Sequence, residues 1–372
     1  MPGARRGVML KVELIKDPGS AWETAERELD ARGLPLPLYH RAIWARAVAQ
    51  QSSNFFVAVR DADGCRAGFA VESSRSRALP GHRLLSISRL AIGAGGLDDE
   101  TLGSAVSALH DLVKRDRLAL RVSVDVYGLD QNARFRTGQA LERVGFERVS
   151  TTRSYERTLV LDLSPDEDAL FAGLHKNARQ GVRNIGRFPV RLTTAHSETM
   201  AGRLQELSDQ TRGRTGGARR PIDWRSFIQM SKAIPDRSRI AVLERTDVDG
   251  PSAIIAFAWG CVHGDVSEYC ESGSVRVTDM RISTSYALLW DLITWARRSG
   301  SKVFDFGGVT VGSTGSDDPL GGISDFKRRF SQREVEVGEQ WELTPRPFRA
   351  RIAGTVSGAA TLIRTGLDRI RR

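Results

Sequence analysis

Two stretches of this chain repeat one order of elements, and that repeat constrains the fold more than any other feature. In the first, FFVAV (55–59) runs to Asp63-Gly64, and AGFAVESS (67–74) returns. In the second, RIAVLE (239–244) runs to Asp249-Gly250, and SAIIAFAWGCV (252–262) returns. An Asp-Gly pair between apolar runs predicts a β-hairpin. Each hairpin precedes an amphipathic helical pattern and then a strand: 101–116 before 118–127, and 285–300 before 302–309. A chain of 372 residues is long enough for two cores. Each half is expected to form a mixed α/β sheet domain flanked by helices.

The join is expected near 150–165. RTLVLDL (157–163) reads as a strand. Ser164 as N-cap, Pro165 at N1 and Glu167 at N3 form a capping box that opens one continuous helix, DALFAGLHKNARQGVRNIGR. The expected boundaries are 1–156, 157–345 and a C-terminal segment 346–372. In that segment Phe348, Ile352, Val356, Ala359, Ile363, Leu367 and Ile370 share one helical face. Seven arginines against Asp368 give it a local net charge of +6. Such a basic amphipathic helix either packs its stripe on the second domain or lies on an anionic membrane surface.

Composition excludes several classes. Three cysteines, Cys65, Cys261 and Cys270, with no C-x-x-C pair, fit a reducing cytoplasm and argue against a disulfide framework or a zinc site. Six scattered histidines offer no paired metal-ligand spacing, so no metal is expected. No stretch is long and apolar enough to span a membrane, and the N-terminus lacks the apolar run of a secretory signal. A net charge of +10 favours anionic partners.

Three stretches carry candidate chemistry. Lys176, Arg179, Arg183 and Arg187 fall on one helical stripe less than about 90° wide. Such a stripe is either a solvated basic face or an anion site. In VFDFGGV (303–309, with Val303 first) Asp305 faces away from Phe304 and Phe306, and two glycines follow. The Asp-Phe-Gly triplet is not a kinase signature, because the phosphate loop and H-R-D loop are missing. The Gly- and Ser-rich loop 309–322 is of a kind that closes over ligands, and GGISDFKRRF (321–330) follows directly. Lys327 is thereby placed to meet a developing negative charge.

In their order these motifs resemble the FemABX family of peptidyltransferases over residues 36–345. The resemblance is carried by Trp44-Ala45-Arg46, VGFERV (144–149), the TLVLDL strand with its basic helix, LSDQTRGRTG (207–216), Tyr269 in VSEYCES, VFDFGGV and GGISDFKRRF. It implies two tandem acetyltransferase-like (GNAT) domains. It further implies transfer of an aminoacyl group, usually from aminoacyl-tRNA, to an amine of a peptidoglycan precursor. Phe326 and Lys327 are its implied reaction centre; Arg46, Arg214 and Tyr269 are its implied precursor contacts. We add Arg179 and Arg183 as substrate-binding residues and Asp305 as a candidate base. No bound cofactor is expected beyond the tRNA or acyl-CoA co-substrate. The long coiled-coil arm of many tRNA-using members has no counterpart here. Two other readings stay open. One is an acyl-CoA-dependent GNAT N-acyltransferase of an envelope-related amine, although no Q/R-x-x-G-x-G/A loop precedes the second helix. The other is a non-catalytic protein that binds RNA or a membrane surface.

Overall fold

A computed structural model describes residues 9–90, 97–150, 155–214, 222–280, 282–318, 320–353 and 355. The chain divides into two compact units, Met1–Ser154 with Gly338–Arg372, and Tyr155–Val337. The first contains β1 (Lys11–Ile15), α1 (Ser20–Ala31), α2 (Ala42–Ala47), β2 (Ser53–Asp61), β3 (Gly64–Arg75), β4 (Arg83–Ile87), α3 (Asp99–Arg115), β5 (Ala119–Tyr127), α4 (Gln131–Arg143) and β6 (Glu147–Arg148). The second contains β7 (Arg157–Asp162), α5 (Glu167–Gly173), α6 (Lys176–Asn184), β8 (Val190–Thr194), α7 (Ala201–Arg214), α8 (Trp224–Ala233) and β9 (Ser238–Arg245). It continues with β10 (Ile254–His263), β11 (Val266–Ser274), α9 (Thr284–Arg298), β12 (Val303–Gly308), α10 (Gly321–Arg328) and β13 (Glu334–Glu336). β14 (Gly338–Leu343) closes the described strands.

Each unit holds one seven-stranded mixed sheet. The strand orders are β1-β2-β3-β4-β5-β14-β6 and β8-β9-β10-β11-β12-β7-β13. The first five positions repeat, hairpin for hairpin, as the two Asp-Gly turns predict. In both, one parallel pair sits at the centre, β4 with β5 and β11 with β12, joined by a helix. A parallel connection needs such a crossover. Alternation then directs one face of each central strand into a core, and β10 is buried on both faces. Val57, Phe69 and Val124 lie in the first core; Leu243, Ala256 and Phe304 lie in the second.

The sixth position corrects the expected boundary at 345. β14 leaves the second unit and pairs antiparallel with β5, while β7 holds the equivalent place beside β12. The reason is burial: Trp341 joins the first core, so close to α4 that a Cβ on Gly138 would lie 2.8 Å from its ring. The capping-box expectation also changes. Asp166, not Ser164, caps α5 by accepting from Ala169 N, and Ser164 donates to Asp162 instead. The expected single helix breaks at Leu174, with ψ 151°, and His175 caps a new helix, α6. Of the C-terminal segment only 347–353 and 355 are described and helical, with Phe348 exposed; the rest of that expectation lies outside the described residues. Among the described residues no helix is long and apolar enough to cross a membrane.

Candidate active site

In the second unit the parallel strands part. β11 and β12 pair from Val266↔Val303 to Glu268↔Asp305 and no further, although β11 runs on to Ser274. On its other side β12 carries a bulge between Asp305 and Gly308. Gly307 makes the bend at φ +72°, a left-handed conformation that a side chain resists. The bend turns the Gly308 carbonyl toward α10, where Lys327 Nζ donates to it at 2.7 Å.

The rest of α10 fixes that lysine. Phe326 is half-buried against Tyr286 and Phe330, with ring centroids 5.2 and 5.5 Å away. Lys327, one residue on, is only 7% exposed. Its ammonium lies 6.0 Å from the centre of the Tyr269 ring. Burial pushes the ammonium down to about 8, against Asp305 and Glu268, whose charges favour the cation. Burial likewise pushes the Tyr269 phenol up to about 12, despite its bond to Ser272. The loop backbone over 310–314 is bonded to α10. Thr314 N donates to Asp325, and Arg328 donates to the carbonyls of Thr310 and Gly312. Gly321 sits so close that a Cβ there would lie 2.3 Å from Ser313 O.

Asp305 is fully buried and faces three donors. It accepts from Thr158 Oγ1, from Gly307 N at 2.8 Å and from the Tyr155 hydroxyl at 3.2 Å. Tyr155 also bonds Glu268 at 2.7 Å. Sequence reasoning missed Tyr155, Thr158 and Glu268. Only the period-two alternation that puts Glu268 beside Asp305 across the sheet could have suggested the pair.

The basic residues divide. Arg179 is half-buried and donates to the carbonyls of Ala172 and Leu174, closing the end of α5. Lys176, Arg183 and Arg187 are exposed, and none makes an ion pair among the described residues. Arg183 lies 5.1 Å from the centre of the Phe171 ring. α6 packs on α9 so tightly that a Cβ on Gly181 would lie 2.3 Å from the Tyr286 ring, the ring that also seats Phe326. Arg214 ends α7 and donates to Ser274 O at 2.8 Å, at the tip of β11. Arg46 belongs to the first unit, on α2, in an exposed ion pair with Glu23.

Helix ends distinguish the two units. α3 is capped by Asp98 and carries Asp99 and Glu100 in its first turn. Those charges repel an anion at its N-terminus. α9 has no side-chain cap hydrogen bond and no acid in its first turn, so no charge of that turn repels an anion.

α7 also holds β11 in place. A Cβ on Gly273 would lie 2.6 Å from the backbone carbon of Leu207 and 2.7 Å from Ser208 N. Backbone cannot yield as a side-chain tip can. Gly273→Ala is expected to destabilise the protein by about 3 kcal/mol, read as a lower denaturation midpoint in urea.

A model of the acetyltransferase (GNAT) domain family matches residues 172–328, which span β11, α9, β12 and α10. The structure of FemX is similar, with a TM-score of 0.65 at 16% identity, covering 85% of this chain and 95% of FemX. A tandem GNAT protein from the clavulanic acid biosynthesis pathway gives 0.53 at 12% identity, over 91% of this chain and 99% of that one. L-PGS from Bacillus licheniformis gives 0.50 at 14% identity, over 94% and 98%. No curated protein sequence matches. The two mixed sheets are thus two tandem GNAT-like domains.

Proposed function

We propose that this chain, an acyltransferase of the GNAT fold, transfers an aminoacyl group from aminoacyl-tRNA to an amine of a peptidoglycan precursor peptide. The observation that carries the reading is Lys327. It is a buried ammonium held 2.7 Å from the Gly308 carbonyl, where β11 and β12 part. The exposed basic residues of α6 and the following turn lie in the same unit and suit a nucleic-acid donor. The amine nitrogen attacks the ester carbonyl carbon, and the carbonyl π pair moves onto oxygen. Lys327 meets that oxyanion. Collapse breaks the ester C–O bond, and the ribose oxygen leaves with the proton the amine has lost. The ester is already activated, so no covalent enzyme intermediate is needed. Tyr269 and Phe326 wall the reacting group, Arg183 serves the phosphates of the tRNA and Arg214 those of the precursor, while Arg179 holds the end of α5 that carries the basic stripe. Asp305, which accepts from Thr158 Oγ1 and Gly307 N, holds the charge of Lys327 in place.

The test is transfer of labelled amino acids from total charged tRNA to a set of precursor peptides. Product with tRNA, and no binding of coenzyme A by calorimetry, supports the reading. A second reading, transfer from an acyl-CoA to an envelope amine, is favoured by the acid-free first turn of α9. Coenzyme A binding with no tRNA-dependent product would establish it instead.

An ammonium that titrates near 8 also sets the pH profile. Rate should fall about tenfold per pH unit above pH 8 as the cation is lost. A lysine acting as a neutral base would instead give a rate that rises toward pH 8 and levels off above it. The descending limb should be absent from the residual activity of Lys327→Met.

A further inference from the structure

The hairpin of β10 and β11 reads CVHGDVSEYC, residues 261–270, turning at Gly264 with φ +68°. Alternate residues of a strand share a face. Cys261 and His263 therefore point one way from β10, and Glu268 and Cys270 point the same way from β11, with Cys261 directly opposite Glu268. A bulge beside Gly260 leaves Cys270 between two paired positions, Tyr269 and Glu271.

Four donor atoms meet as a result. Cys261 Sγ lies 3.1 Å from His263 Nε2 and 2.8 Å from Cys270 Sγ. His263 Nε2 lies 3.0 Å from Glu268 Oε2, which is 3.8 Å from Cys270 Sγ. Cys261, His263 and Glu268 are buried. Two thiols, an imidazole and a carboxylate, closely spaced and three of them buried, form a set that one soft-to-borderline divalent cation satisfies.

We propose that Cys261, His263, Glu268 and Cys270 bind one Zn²⁺. Tetrahedral zinc with bonds of about 2.0 to 2.3 Å separates its ligand atoms by about 3.3 to 3.8 Å. The atoms of Cys261, His263 and Glu268 lie within 4.8 Å of one another, Cys270 Sγ adjoins two of them at 2.8 and 3.8 Å, and rotations about the cysteine χ1 bonds gather the four around one ion. All four positions come from protein, so the site is closed and structural, with no place for a substrate. Glu268 has the outer partner such a ligand needs: its Oε1 accepts from Tyr155, which also reaches Asp305. The cation thus braces the hairpin on the side where β11 meets β12. The expectation of no metal rested on missing C-x-x-C pairs and scattered histidines. The strand equivalent is C-x-H and E-x-C across a tight turn.

The test uses the full chain, purified under reducing conditions. Elemental analysis should find one zinc per chain. Cobalt replacing it should give the intense visible bands of a tetrahedral site and near-ultraviolet thiolate charge transfer. Cys261→Ser and Cys270→Ser should each lose zinc, whereas Cys65→Ser, in the first unit, should keep it. If the two serine variants fail to fold, the wild-type chain still decides. Removing its metal with a chelator should lower the thermal midpoint, and zinc alone should restore it. A reduced, folded chain that holds no zinc and gives no tetrahedral cobalt spectrum overturns the proposal. So does a non-reducing peptide map that joins Cys261 to Cys270 in a chain free of metal.

Discussion

Lys327→Met is expected to lower kcat for acyl transfer about 10²- to 10³-fold, the usual loss when one donor to a developing oxyanion is removed. KM should change little, because the ammonium is matched to a charge that the ground-state ester lacks. The fold should survive: methionine has a similar length and needs no solvation. Stability provides an independent check on the same side chain. The unfolded chain holds this proton up to about 10.5 and the folded chain only to about 8. Between those values the unfolded state binds more protons, so wild-type stability rises with pH across that window. Below pH 8 the full cost of burying the charge is present, and above 10.5 it is relieved. The wild type should therefore gain about 3 kcal/mol on Lys327→Met between pH 8 and 10.5, measured by urea denaturation of both. A flat difference would mean that the ammonium is solvated. Unchanged turnover in the variant would remove Lys327 from the chemistry, whatever the melts show.

Those two measurements bear on a residue whose importance was legible in the sequence only through motif order. The elements around it were legible for local reasons. Asp-Gly turns and alternating apolar runs announce the hairpins β2–β3 and β9–β10, and the 3.6-residue pattern announces α3 and α9. What turns Lys327 inward is not local. The Gly308 carbonyl reaches it because Gly307 takes a left-handed bend and β12 bulges against β7, which lies about 150 residues earlier in the chain. No window of sequence encodes that pairing. The destination of β14 was hidden for the same reason. GEQWEL alternates like any half-buried strand, and only the cavity that receives Trp341 decides which sheet it completes. The partners of the Gly- and Ser-rich loop 309–322 were hidden too. Asp325 and Arg328, on the helix that follows, bond its backbone at Thr314 and Gly312. Composition marks such a segment as a loop and says nothing of which side chains receive it.

The proposed donor makes its largest testable demand on the basic face. The triple variant Lys176→Ala, Arg183→Ala, Arg187→Ala is expected to weaken binding of charged tRNA and to flatten its salt dependence. The three side chains are exposed and make no ion pairs among the described residues, so truncating them uncovers no buried acid. Arg179 is left intact because its guanidinium closes the end of α5, and its loss would confuse binding with folding. If each of the three neutralises one phosphate, the slope of log K against log salt should fall by about 2 to 3. A slope change of that size means the wild-type advantage is about 40-fold larger at 50 mM salt than at 200 mM. Precursor binding need not change, so KM for the acceptor serves as the internal control. A compact donor such as an acyl-CoA presents few phosphates, and its slope would barely move. An unchanged tRNA slope, with transfer activity retained, would assign the stripe to solvent and place the tRNA elsewhere on the chain.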